Sequence, residues 1–174
     1  MKKILYSVIA IAAVFATSCS QSRLDIPQKG VTPYESFYQT DDDCQAALTA
    51  AYASFATNVA GRGNQYIYTP IKAMLNNCGD DMFAAGSNFG DNDFMAALNE
   101  FRYDSGDQSV KDFYKGLYKA NYVANLVIET FQNGLPNGGQ TATTQRCVAE
   151  ARVLRALVYF YLTALWDTPP FIDH

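Results

Sequence analysis

From Ala156 to Trp166 the chain runs eleven residues without a charged side chain: Ala-Leu-Val-Tyr-Phe-Tyr-Leu-Thr-Ala-Leu-Trp. The run ends a longer stretch, from about Thr143, that holds neither proline nor glycine and reads as a helix. It stops before Thr168-Pro169-Pro170, because a residue preceding proline leaves the helical region. A helix that is apolar on every side has to be covered on every side. The fold must therefore bring partners to several flanks of this one element.

Three further stretches supply partners. Thr40 is a good N-cap, and Asp41, Asp42 and Asp43 fill the first turn, where the helix dipole favours negative charge. Cys44, Ala47, Leu48, Ala51, Tyr52, Phe55 and Val59 then recur at helical spacing, which predicts one buried face; Gly61-Arg62-Gly63 ends it. A second helix is expected from Thr69, with Pro70 at its first position, to about Asn77, striped by Ile71, Met74, Leu75 and Cys78. A third runs from a cap at Ser109 or Asp107 to about Gln132. Its broad face holds Val110, Phe113, Tyr114, Leu117, Tyr118, Asn121, Ala124, Val127, Ile128 and Phe131. The loop Asn133–Gly139 separates it from the fourth. Residues 79–108 are rich in Gly, Asp and Asn and read as loop, with a short helix from Asp93 to Glu100. No segment alternates with period two, so the expectation is an all-α fold of stacked helical hairpins. Three helices before the uncharged run cover about one side of it, and no polar capping repeat follows. The chain thus reads as the N-terminal part of something longer. The rival is a small bundle in which the lead-in before Thr40 wraps Trp166.

The N-terminus addresses the protein. Lys2 and Lys3 precede an apolar run, Ile4 to Ala16, and then Thr17-Ser18-Cys19. Thirteen helical residues reach about 20 Å, short of the ~30 Å hydrocarbon core. Residues 1–18 therefore read as a signal peptide. Small residues ahead of a cysteine match a bacterial lipoprotein site, with Cys19 acylated (palmitate among its acyl chains) and first in the mature chain. Residues 19–39, with Pro27, Gly30 and Pro33, form an extended lead-in strap that Leu24, Ile26 and Val31 would pin to a core. Loss of Lys2 and Lys3 leaves eleven basic against seventeen acidic residues, a net charge near −6. That balance argues against nucleic acid and against electrostatic docking to anionic lipid. Acyl chains alone would hold it to a membrane, at ~0.8 kcal/mol per buried CH₂.

Catalytic chemistry finds little footing. The only histidine of the sequence is His174, so a catalytic histidine held by a second group is implausible. Nucleophile elbows and phosphate-binding loops are absent. Asp80-Asp81 and Asp91-Asn92-Asp93 read as solvated turn, since a calcium loop needs an oxygen ligand where Met95 stands. Spacing alone places no two of these carboxylates across a sugar. With Cys19 acylated, Cys44, Cys78 and Cys147 remain, at spacings that fit no zinc site. Cys44 and Cys147 fall on apolar faces and read as buried free thiols.

The fourth helix carries a resemblance. Ala149-Glu150-Ala151-Arg152-Val153-Leu154-Arg155-Ala156, followed by Tyr159-Phe160-Tyr161-Leu162, resembles the Ala-Glu-Ala-Arg-Phe-Leu-Arg-Ala block of the SusD/RagB-like family. Tyr114-x₃-Tyr118-x₃-Tyr122-x₂-Asn125 is similar to that family's Trp-x₃-Tyr-x₃-Ile-x₂-Asn helix. Leu24-Asp25-Ile26-Pro27 and Thr40–Tyr52 resemble its lead-in and first helix. Val153 stands where Phe is usual, Tyr114 where Trp is usual, and Asp167 where Gly is usual; the first two read as core swaps. Family members are longer, which again makes residues 40–174 an N-terminal portion.

The resemblance implies a tetratricopeptide-like fold and a non-enzymatic lipoprotein of the cell outer membrane, lipid-anchored and surface-exposed. Such a protein binds glycans or other oligomeric nutrients and delivers them to a SusC-like TonB-dependent transporter. It implies no cofactor or metal. Sugars pack their C–H faces on aromatic rings, and Tyr66, Tyr68, Phe83, Phe89 and Phe94 lie in or near loops, though ordinary packing accounts for each. The family's ligand contacts come largely from regions beyond this chain, so no binding residue carries over. A helical-repeat lipoprotein scaffold that binds protein partners is the alternative.

Overall fold

A computed structural model describes residues 34–59, 74–83, 88, 91, 93–104 and 106–174. The expected leader, Cys19, most of the strap, the start of the second helix, and Tyr66, Tyr68, Phe89 and Asn92 lie outside the described residues. The chain divides into a unit Met1–Ser36 and a unit Phe37–His174. A one-turn helix, α1 (Tyr34–Phe37), falls at that boundary. The second unit holds α2 (Asp41–Asn58), α3 (Asp93–Asn99), α4 (Gln108–Phe131) and α5 (Ala142–Trp166). Residues 74–76 are also helical. Among the described residues there is no strand, only an isolated bridge between Leu135 and Gly139 in the α4–α5 loop. The fold is all-α, and no described helix is long and apolar enough to cross a membrane.

Local chemistry sets the helix starts. Thr40 Oγ1 accepts the Asp43 N–H at 3.1 Å, and Asp43 Oδ2 accepts the Thr40 N–H at 2.9 Å. This reciprocal box satisfies two donors that the first turn otherwise leaves open. The Thr40 hydroxyl, with the Gln39 and Thr40 N–H groups, holds the Asp43 carboxyl below its ordinary pKa. Thr141 and Thr144 build the same box for α5. The two caps also touch: Thr141 Oγ1 donates to Asp41 Oδ1 at 2.7 Å. At α4 Asp107 is the cap residue, but its side chain makes no capping bond and instead accepts the Asp104 N–H at 2.9 Å.

Three helices form the body. With their caps joined, α2 and α5 start side by side and run parallel. α4 runs against α2, since Gly116 meets Asn58 at one end while Phe131 shares a cluster with Cys44 at the other. That first cluster packs Leu48, Ala51, Val127, Phe131, Cys147 and Ala151. A second gathers Val59, Met74, Leu98, Phe113, Leu117, Val158 and Leu162, which ties α3 and the turn at 74–76 to the α4–α5 pair. Each large side chain so buried is worth about 1.5–3 kcal/mol.

Three expected core positions lie elsewhere. Tyr52 is 46% exposed and donates its hydroxyl to Glu150 Oε2 at 3.0 Å. Leu75 and Val153 face solvent, so Val153 is not a core swap. Within the uncharged run Val158 and Leu162 are buried, but Leu157 and Phe160 are exposed, Phe160 by 64%. One flank of α5 is covered, by α2 and α4, and the other is open.

Candidate functional site

Two structures meet where α5 ends. The first is a clamp on the segment that follows it. Asp167 terminates α5 with φ 60° and ψ −81°, and the chain turns back over α4. Tyr118 donates its hydroxyl to Pro170 O at 2.7 Å. One carbonyl, Ile172 O, accepts from Asn121 Nδ2 at 2.8 Å and Asn125 Nδ2 at 3.0 Å. Tyr159 Oη accepts the Ile172 N–H at 2.7 Å, with Ile172 O 3.2 Å away as acceptor for its own proton. Arg155 Nη1 donates to Asn125 Oδ1 at 3.1 Å and fixes that amide's orientation. Asn121 and Asn125 are each 1% exposed. Buried amides are tolerated because they are bonded, although Asn121 Oδ1 lacks a partner among the described residues. Burial, and then the Tyr114 hydroxyl, raise the Tyr118 pKa well above the ordinary tyrosine value. The clamp binds main-chain atoms, so it positions the chain and performs no reaction.

The second structure is a cleft of about 360 Å³ beside the clamp, within the ~300–1,000 Å³ range of small-molecule sites. Trp166 and Tyr114 supply aromatic surface, Pro169 and Pro170 one wall, and Lys111 and Lys115 a basic rim. The Trp166 ring stands edge-on to Tyr114, with centroids 5.2 Å apart, and lies 6.0 Å from Phe113. Neither lysine has an ion-pair partner among the described residues. Aromatic surface with polar donors at its edge suits a sugar ring or another amphipathic ligand.

Of the five aromatics named from sequence, Phe83 and Phe94 fall among the described residues, and neither lines this cleft. Phe83 is 69% exposed and lies apart from it, and Phe94 packs into the second core cluster. In the sequence Tyr114 belongs to the α4 apolar face and Trp166 ends the uncharged run; the lysine pair at i, i+4 that flanks Tyr114 is the signal for the cleft. Asp80, Asp81, Asp91 and Asp93 are exposed. Asn88 Nδ2 donates to Asp91 Oδ1 at 3.3 Å, a turn contact. Among the described residues no group of three His, Cys, Asp or Glu side chains is placed to hold a metal. His174 Nδ1 lies 3.1 Å from Oδ1 of its neighbour Asp173.

Comparison with known proteins gives three matches of the same kind. A SusD-like protein of Bacteroides ovatus is 29% identical over 159 residues, 91% of this chain and 27% of that protein. Two from Formosa agariphila, SusD-like protein P25 and SusD-like protein P2, are 24% and 26% identical, over 97% and 98% of this chain and 31% of each relative. The chain is related to the SusD-like proteins. It spans less than a third of the length of these relatives. No family model matches the chain, and no solved structure does. Asn125 and Arg155, thirty positions apart in the α4 and α5 stretches that carry the resemblance, bond to each other, and Asn125 in turn holds the segment leaving α5.

Proposed function

We propose that this chain is the N-terminal helical portion of a lipid-anchored outer-membrane protein that captures glycans or other oligomeric nutrients for a SusC-like TonB-dependent transporter. Residues 1–18 are its leader, Cys19 its acylated first residue, residues 19–39 its lead-in and residues 40–174 its helical body. The observation that carries this reading is the collinear similarity, over more than nine-tenths of the chain, to SusD-like proteins. The aromatic cleft with its lysine rim supports it. Capture proceeds by stacking, hydrogen bonding and burial, without covalent chemistry. The open flank of α5, with Val153, Leu157 and Phe160, favours the scaffold alternative, in which a protein partner covers that face.

Palmitate labelling in a native host, with Cys19→Ala beside the unaltered chain, tests the anchor; equal labelling of both refutes it. Affinity purification from solubilised outer membrane tests the partner. Recovery of a TonB-dependent β-barrel supports delivery, and a chain recovered only from the soluble fraction refutes it.

A further inference from the structure

The joined starts of α2 and α5 bring two cysteines into one buried layer. Thr141 bonds Asp41 at 2.7 Å, Arg146 bonds Gln45, and Tyr52 bonds Glu150 at 3.0 Å. Inside this frame lie Cys44 on α2 and Cys147 on α5, about a hundred positions apart in sequence. Each is 0% exposed, both belong to one core cluster, and both are free thiols in this structure. The third described cysteine, Cys78, packs against the other cluster. An alanine or valine pair would fill the same space, so packing alone does not call for sulfur at both positions.

We propose that Cys44 and Cys147 form a disulfide that ties α2 to α5 when the chain folds in the presence of a disulfide oxidant. The two Sγ–H bonds break and one Sγ–Sγ bond forms. The oxidant's own S–S bond breaks, and two electrons and two protons end on its two thiols. Attack requires a thiolate. Burial, and then the Cys147 thiol, push the Cys44 pKa up to about 12, so the bond closes quickly during folding and slowly once the core has shut. The same burial shields the finished bond from reductants. Because the cross-link closes a loop of about a hundred residues, it removes much of the unfolded chain's freedom. That the pair meets an oxidising compartment rests on the export proposed above; the pairing itself does not.

The test uses the full chain with Cys19→Ser, refolded in glutathione disulfide and glutathione and compared with the same chain refolded in dithiothreitol. The expected product is lighter by two hydrogen atoms. It has one thiol titratable in denaturant instead of three, and a proteolytic fragment that joins α2 to α5. Its thermal midpoint rises by about 5 °C or more. Cys78→Ala retains the cross-link and Cys147→Ala loses it. Three titratable thiols after oxidative refolding, a bond to Cys78, or a bond that lowers the midpoint each overturn the proposal. Because refolding is done in vitro, its outcome is independent of export. The thiol state of the chain alkylated inside native cells reports export separately.

Discussion

Gly116 lies in the interior of α4, where alanine ordinarily improves a helix by about 1 kcal/mol. Here the change is expected to destabilise. A Cβ at position 116 would lie 2.7 Å from Asn58 O and 3.4 Å from Asn58 Cβ, with 3.4 Å the start of ordinary contact. The obstructing oxygen is main chain and cannot rotate away. The end of α2 is also held, because Asn58 Nδ2 bonds Ser54 O at 2.8 Å and the next residue, Val59, is fully buried. Moving α2 aside unpacks Val59 from Leu117, Phe113 and Met74 in the second cluster. Overpacking of this kind costs about 1–3 kcal/mol, and the gain in helix propensity offsets about 1 of it. The net expectation for Gly116→Ala is a loss of up to about 2 kcal/mol, or up to roughly 4–8 °C in midpoint for a domain of this size. Trp166, the only tryptophan in the chain, packs on Phe113 and Tyr114 of the same helix and reports the transition by fluorescence in urea. A midpoint equal to or above that of the unaltered chain would refute the close-approach argument and return Gly116 to an ordinary helix glycine.

Asp167 holds φ 60° and ψ −81°, a strained region for a side-chain-bearing residue, so Asp167→Gly should raise stability by about 1 kcal/mol, read as an increase in urea midpoint without a change in slope. Asn125→Leu leaves the Arg155 guanidinium and the Ile172 carbonyl each short of a bond, and is expected to cost about 1–3 kcal/mol and to speed hydrogen exchange at the Ile172 amide; unchanged exchange there would show that the clamp does not order the segment. The Glu150 carboxylate, by accepting the Tyr52 hydroxyl proton, raises the Tyr52 pKa. A raised folded-state value favours the neutral phenol in the folded chain, so this contribution is full below the ordinary tyrosine pKa of about 10 and is lost as pH climbs through the folded value. Tyr52→Phe should therefore flatten the alkaline decline of the urea midpoint, and an unaltered decline would remove Tyr52 from the account.

The first long helix, α2, was legible because it is announced twice, by a cap and by a stripe. Thr40 with Asp43 marks the start of α2, and the stripe from Cys44 to Ala51 marks the face that α4 and α5 cover. The same reasoning fails at stripe edges. Periodicity gives the direction of a buried face but not its width, and the width depends on how many neighbours arrive. Tyr52 sits one position past Ala51 and falls outside the cover, where a hydroxyl can reach Glu150. Val153 stands between buried Ala151 and Leu154, yet its direction on α5 points away from both neighbouring helices. Asp107 shows the converse: the residue type suited the cap, but the preceding turn at Asp104 claims its carboxylate.

The region at the end of α5 was legible only as a demand. Tyr118, Asn121 and Asn125 recur at i, i+3 and i+7, the spacing of an inward face. Two amides on such a face each require partners, since an unmet buried polar group costs about 1–3 kcal/mol. The sequence therefore implied that something polar crosses α4 at that height. It did not identify the visitor, because the groups that answer are main-chain atoms of Pro170 and Ile172, and a carbonyl has no residue signature. The cleft is a consequence of the same return. Pro169 and Pro170 become a wall for Trp166 and Tyr114 only because the clamp brings that segment back over α4. Clamp and cleft are thus one arrangement. A change that frees Ile172, such as Asn125→Leu, should open the wall and alter Trp166 fluorescence in the folded chain, although Asn125 does not line the cleft.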